Sequence, residues 1–211
     1  RDLEAFLRVT TYPLAVRSSS LLEDSQYQPL AGVYRTFMIP NDHPDLKLRL
    51  RQLVAAVKRV YASTYSSHAK MYFTMTPYRL EEERMAVIVQ RVVGAHHGDY
   101  FYPDVAGVAR SLNFYPAPPM KAEDGVVTVA LGLGKTVVDG RAGLAFCPRY
   151  PDRLMHFPTT QDLLASGQRE FLALELTGRG VCCNPEEEIR EVSLPLEAAE
   201  AHGTLAPLAS V

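Results

Sequence analysis

No apolar run in this sequence approaches the roughly 18 residues that a membrane-spanning helix needs, so no contact with a membrane interior is expected. Cysteine is scarce. Cys147, Cys182 and Cys183 are too few for a disulfide framework, and the adjacency of the last two excludes the spaced pairs of a zinc site. A reduced, cytoplasmic protein is expected. Neither sign of charge is in excess: 22 Lys and Arg against 24 Asp and Glu leave a net charge of −2. Such a balance excludes the broad basic surface of a nucleic-acid binder. Residues 1–8 carry charge and lack the apolar stretch of a signal peptide. The first residue is Arg rather than Met, from which a piece of a longer polypeptide is expected. No internal repeat or low-complexity tract is present.

What remains is a globular composition. Of the 211 residues, 47% are hydrophobic and 22% charged, which suits one large domain or two smaller ones. Residues 1–8 read as the end of a helix. Leu14–Ser18, Val33–Ile39, Ala106–Phe114 and Val126–Leu131 read as strands. Met85–Val93 is so rich in β-branched residues that a strand covered on both faces is expected. Between them, Leu46, Leu50, Leu53, Val54, Val57, Val60, Tyr61 and Tyr65 recur at helical spacing. They predict an amphipathic helix over about 45–69, capped by Asn41 or Asp42 with Pro44 in its first turn. Asp162–Leu174 reads as a second helix, and the chain after Gly178 loses its periodicity. Strands and helices mix without strict alternation, which predicts an α+β fold.

Several residues bear on chemistry. Arg17 ends one strand and Gln90 interrupts another; each either meets a ligand or is satisfied locally, Arg17 by Glu23 or Asp24 and Gln90 by neighbouring backbone. Gly132-Leu133-Gly134-Lys135-Thr136 suggests a phosphate loop, but the glycine required five residues before Gly134 is Val129, and Val137–Gly140 reads as extended rather than helical. Such a turn can still point backbone N–H groups at a phosphate. His68 reads as a solvated helix-end residue. His96 and His97 sit between Gly94 and Gly98 in a segment read as a loop, without a third metal ligand.

Taken in order, the segments LAVRSSS (14–20), Glu23-Asp24, LAGVYRTF (30–37), VAAVKRVYAS (54–63), VIVQRVV (87–93), the hairpin from Gly107 to Phe114, and ALGLGKTVVDG (130–140) resemble the nucleotide-binding domain of phosphoenolpyruvate synthase and pyruvate phosphate dikinase. The resemblance implies an ATP-grasp-like fold in which two α+β subdomains clamp ATP and magnesium. It implies a partial nucleotide-binding domain over 1–177 and a linker, or the start of a following segment, over 178–211. It further implies phosphoryl transfer from ATP to a histidine on a separate domain, as part of a larger ATP-dependent kinase-type phosphotransferase, with no nucleic acid or membrane as partner. By the same resemblance, Arg17 contacts ATP phosphates, Gly32 lies where the backbone passes the nucleotide, Thr36 offers a hydroxyl to a phosphate or metal, and Gln90 its amide to the nucleotide. Arg149 is a further phosphate candidate.

The pattern departs from the family at Lys135, where the family turn GLGE places a magnesium-holding Glu. A cation ligates no metal but can neutralise a phosphate. The alternative reading is a catalytically degraded nucleotide-sensing or interaction module within a larger signalling protein.

Overall fold

A computed structural model describes residues 2–23, 32–138, 143–154, 161, 167–176 and 191–206. The fold is α+β, as expected; its sheets pair antiparallel where the expectation was a mixed sheet packed by a long amphipathic helix, and it divides into two units. One comprises Arg1–Val92 with Leu174–Glu191, the other Val93–Ala173 with Val192–Val211.

The first unit begins with helix α1 (Asp2–Val9) and strand β1 (Leu14–Ser20), followed by β2 (Phe37–Ile39). Helix α2 (Leu46–Ser63), helix α3 (Ser67–Met75) and strand β3 (Met85–Arg91) complete it. The sheet order is β2-β1-β3, antiparallel throughout. Leu14 and Val16 of β1, with Phe37 and Ile39 of β2, face Leu53, Ala56 and Val60 of α2 and Leu7 of α1. Burying each large apolar side chain there contributes about 1.5–3 kcal/mol.

The expected single helix over 45–69 is two. Asp45, not Asn41 or Asp42, caps α2 by accepting from the Lys47 N–H, and Pro44 lies outside it. Ser66 caps α3 by accepting from the Ala69 N–H, which starts a new helix where the spacing suggested continuation. Tyr61 and Tyr65, placed on the apolar stripe by spacing, are 47% and 64% exposed. The stretch from Val33 joins the sheet only at Phe37. β3 is covered on one face alone, because nothing among the described elements packs over Ala86, Ile88 and Gln90.

Asn41 does something else. It is buried at φ +54°, a left-handed conformation that Asn tolerates better than most residues. Its Nδ2 donates to the carbonyls of Thr10 and Tyr12 at 3.1 and 3.0 Å. Arg49 of α2 donates to the carbonyls of Leu7 and Thr10 at 3.1 and 2.8 Å. The two side chains bind the turn between α1 and β1 to the helix. Asn41→Leu is expected to lower stability by about 2–4 kcal/mol, from a stranded buried carbonyl plus backbone strain. Asn41→Gly, which keeps the backbone angle, should lose about 1–3 kcal/mol. Urea unfolding of the two variants measures the difference.

The second unit contains two four-stranded sheets. Strands β4 (Ala95–His97) and β5 (Tyr100–Tyr102) form a hairpin through Gly98, φ +61°. Strands β6 (Ala106–Arg110), β7 (Val126–Ala130), β8 (Leu144–Cys147) and β9 (Tyr150–Leu154) make a meander, with helix α4 (Lys135–Val138) between β7 and β8. Strands β10 (Glu170–Glu175) and β11 (Glu191–Pro195) join the hairpin in the order β11-β10-β5-β4, and helix α5 (Leu196–Ala201) follows. Tyr102, Leu131, Phe171, Ala173 and Ala199 form the core. The Tyr102 hydroxyl meets His202 Nδ1 at 2.8 Å and Thr204 Oγ1 at 3.1 Å.

Four expectations change here. The helix read over Asp162–Leu174 falls partly outside the described residues (162–166), and its later part is strand β10, where pairing overrides the helix preference of Leu and Ala. The strand from Ala106 ends at Arg110 rather than Phe114. Of the stretch Val137–Gly140 read as extended, Val137 and Val138 lie in the single helical turn Lys135–Val138, and 139–140 lie outside the described residues. Within 178–211, read as a linker or the start of a following segment, Glu191–Ala201 is strand and helix, and β11 pairs with β10.

Candidate functional site

The first sheet has two different faces. Antiparallel partners directly opposite one another point to the same side. In the register of β1 and β3, Leu14, Val16 and Ser18 share the core side with Arg91, Val89 and Val87. The other side carries Ala15, Arg17 and Ser19 from β1 and Gln90, Ile88 and Ala86 from β3. Arg17 lies opposite Ile88, and Gln90 is its diagonal neighbour, within reach of two long side chains.

Both are exposed, and among the described residues neither makes a hydrogen bond or ion pair. The local partner expected for Arg17 is engaged elsewhere: Glu23 accepts from Ser18 Oγ at 2.8 Å and from the Ser20 N–H at 3.0 Å. Asp24, the other expected partner, lies outside the described residues. The neighbouring Arg91, by contrast, is accounted for by stacking over the Tyr12 ring at 5.0 Å.

Thr36 is exposed and immediately precedes β2. Val16 and Phe37 form the last β1–β2 pair, and Thr36 and Arg17 are the residues next beyond it on their two segments. Gly32 has φ +77°, and a Cβ there would meet no protein atom within 4 Å. Its requirement within the protein is therefore conformational, a turn that side chains rarely adopt. The sheet thus brings Arg17 and Gln90 to one face, and Thr36 immediately precedes its third strand, β2. A guanidinium fork, an amide and a hydroxyl there can bind an anion and an adjacent hydrogen-bonding group.

The residues expected further along the chain belong to the second unit. Lys135 opens α4. Next to it Thr136 is buried, and its Oγ1 has no partner among the described residues. The glycine turn before Lys135 has a structural duty. Gly132 has φ +85°, and a Cβ there would lie 2.6 Å from the Leu172 carbonyl oxygen. The Leu133 N–H donates to that same oxygen at 2.8 Å, and the Leu131 N–H to Gln168 Oε1 at 2.9 Å. These two N–H groups therefore hold β10 and its approach rather than facing outward.

Arg149 donates to Asp124 at 3.0 Å. The Lys121 N–H, at 2.8 Å, and the Arg149 guanidinium together hold the Asp124 carboxyl below the usual carboxylate range. The same pair raises Arg149.

Among the described residues the histidines form no group that could hold a metal. His96 and His97 lie in β4 rather than in a loop, and His97 Nε2 stands 3.6 Å from Asp104. His68 is exposed on α3. No group of three or more His, Cys, Asp or Glu able to hold a metal occurs among the described residues, nor any helix there long and apolar enough to cross a membrane.

Sequence reasoning passed over a buried polar pair in the first unit. Tyr34 and Glu83 are both buried and hydrogen-bonded to each other, the phenol donating to Glu83 Oε2. Burial first, and the Glu83 carboxylate second, push the Tyr34 phenol upward, so it stays a donor. The available signal was a charged residue, Glu83, immediately before an apolar strand.

A family model described as pyruvate phosphate dikinase, AMP/ATP-binding domain, matches residues 2–170. A protein of Bacillus subtilis (strain 168) named "Uncharacterized phosphotransferase YvkC" is 28% identical over 136 residues, 64% of this chain and 14% of that protein. The chain thus spans a small part of the length of the curated relative it matches.

Proposed function

The chain belongs to the pyruvate phosphate dikinase AMP/ATP-binding domain family, and on that footing we propose that it binds ATP as the ATP-grasp-like, nucleotide-binding part of a phosphotransferase. The phosphoryl acceptor in this reading is a histidine on a separate domain. The observation that carries it is the outward sheet face on which Arg17 and Gln90 stand exposed, with no protein partner among the described residues.

Phosphoryl transfer asks little covalent chemistry of a protein and much positioning and charge neutralisation. Arg17 would grip two phosphate oxygens with parallel charge-assisted hydrogen bonds, offsetting charge as the bond to the leaving phosphate breaks and the histidine nitrogen bonds to phosphorus. Thr36 would donate its hydroxyl to a phosphate oxygen, Gln90 would hold the nucleotide by its amide, and Gly32 would shape the turn. Lys135 and Arg149 belong to the second unit, and the reading rests on the first.

The described residues do not make a magnesium site by themselves. Lys135 stands at the family's Glu position and offers no oxygen ligand, and the described residues contain no cluster of three metal-binding side chains. Magnesium would enter as the partner of the triphosphate.

Isothermal titration of the full-length protein with Mg-ATP and a non-hydrolysable analogue tests the reading; binding of both is expected. No heat with either, before or after Arg17→Ala, rules it out. Lys135 favours a second reading, a sensing or interaction module that no longer transfers phosphate. Under the first reading Lys135→Glu should weaken Mg-ATP binding about tenfold, the scale of one lost charge-assisted contact. A gain in magnesium-dependent affinity would instead support the second.

A further inference from the structure

Residues 32–36 alternate in a telling way. Gly32, Arg35 and Thr36 are exposed, while Val33 and Tyr34 are 6% exposed each. The two buried residues pack with Leu22 and Ala69, and Met85 and Tyr72 adjoin them. Tyr34 is also fixed by direction, because its hydroxyl donates to Glu83 Oε2 at the foot of β3. Glu83 itself is held, its Oε1 accepting from the Arg84 N–H at 2.8 Å. On the other side of the segment the Arg35 N–H donates to Ser63 Oγ at 3.3 Å, and that hydroxyl donates to the Val60 carbonyl of α2 at 2.6 Å. A further polar contact lies at the end of β1, where the Glu23 N–H donates to Ser20 Oγ at 3.2 Å.

A packed core needs only the Tyr34 ring. The carboxylate placed beneath its hydroxyl needs a further reason, since a buried charge is costly to desolvate and adds specificity of position when paired. The segment it fixes ends at Thr36, the residue next beyond the last β1–β2 pair, as Arg17 is on β1.

From this we propose that the Tyr34–Glu83 pair is a positioning latch for nucleotide binding, which sets the Thr36 hydroxyl against a phosphate already gripped by Arg17. The proposal rests on the ATP-binding reading above. Tyr34 and Glu83 do not touch the ligand; they act through Thr36.

The test uses the full-length protein, Mg-ATP titration and thermal unfolding. Tyr34→Phe keeps the ring and removes the latch, and should raise the ATP dissociation constant about tenfold. Glu83→Gln keeps an acceptor for the phenol and should leave affinity within about twofold. The double variant Tyr34→Phe/Glu83→Gln removes the stranded charge, so its unfolding temperature should recover towards wild type while affinity does not. In a Thr36→Ala background, Tyr34→Phe should have no further effect on affinity. An equal effect of Tyr34→Phe with and without the Thr36 hydroxyl overturns the latch, as does affinity unchanged by Tyr34→Phe while Arg17→Ala weakens binding. Absence of ATP binding by the wild type overturns the underlying nucleotide reading as well.

Discussion

Replacing Gly132 by alanine should cost the protein about 3–5 kcal/mol, and the loss should appear as a fall of roughly 6–20 °C in unfolding temperature. Two penalties combine. At φ +85° an L-residue is strained, by about 1–2 kcal/mol. The new Cβ would also lie 2.6 Å from the Leu172 carbonyl oxygen and 2.9 Å from the Phe171 ring. The carbonyl is strand backbone and cannot swing aside as a flexible side chain would. Moving it would break the Leu133 N–H bond to the same oxygen and open the core around Phe171 and Leu131. Gly98 supplies the control. It too has a positive φ, +61°, but nothing lies within 4 Å of a Cβ there. Gly98→Ala should therefore lose only the strain, about 1–2 kcal/mol. Chemical denaturation of the two variants side by side separates the contact from the conformation. Equal losses would mean that β10 yields to the turn.

Arg17→Ala should have the largest effect on ligand binding and almost none on stability. A guanidinium making two charge-assisted bonds to phosphate contributes about 2–3 kcal/mol, which corresponds to a 30- to 150-fold rise in the ATP dissociation constant. Arg17 is exposed and makes no hydrogen bond or ion pair among the described residues, so unfolding should be within about 0.5 kcal/mol of wild type. Arg17→Lys retains charge without the fork and should recover only part of the affinity. Titration together with denaturation reads both halves. A variant that loses stability as much as affinity would show that Arg17 is holding the protein rather than the nucleotide.

How much of this was legible beforehand depends on how local each signal is. The core of β1 could be read from a short apolar run ending in Arg and Ser, and α1 from its charge pattern. The uncovered face of β3 was not legible, because Ile88 is as β-branched as the partly buried Val87 and Val89. Residue type does not report which face of a sheet a second layer covers. The division of the long helix hid behind Tyr61 and Tyr65, which keep helical spacing but face outward. The strand at Glu170–Glu175 has helix-favouring Leu and Ala, and only its pairing partners decide the matter. At the site, the types of Arg17 and Gln90 marked them as unusual in their strands. That they share one face follows from a pairing register between distant segments, which no local pattern contains. The same is true of Asp124 and Arg149.

The β1–β3 pairing also governs when the proposed binding surface can exist. Ser20 meets Met85 and Leu14 meets Arg91, so the ladder closes across most of the first unit, including α2 and α3. Closing so long a loop has an entropic cost, which contacts formed only afterwards must offset, and topologies of this kind assemble slowly. Helices α2 and α3 can form early from local contacts, but a chain that has reached only that stage carries Arg17 and Gln90 on unconnected segments. Competence to bind a ligand on that face therefore appears with the last long-range closure. A ligand that needs both residues will accordingly discriminate the finished sheet from a compact folding intermediate.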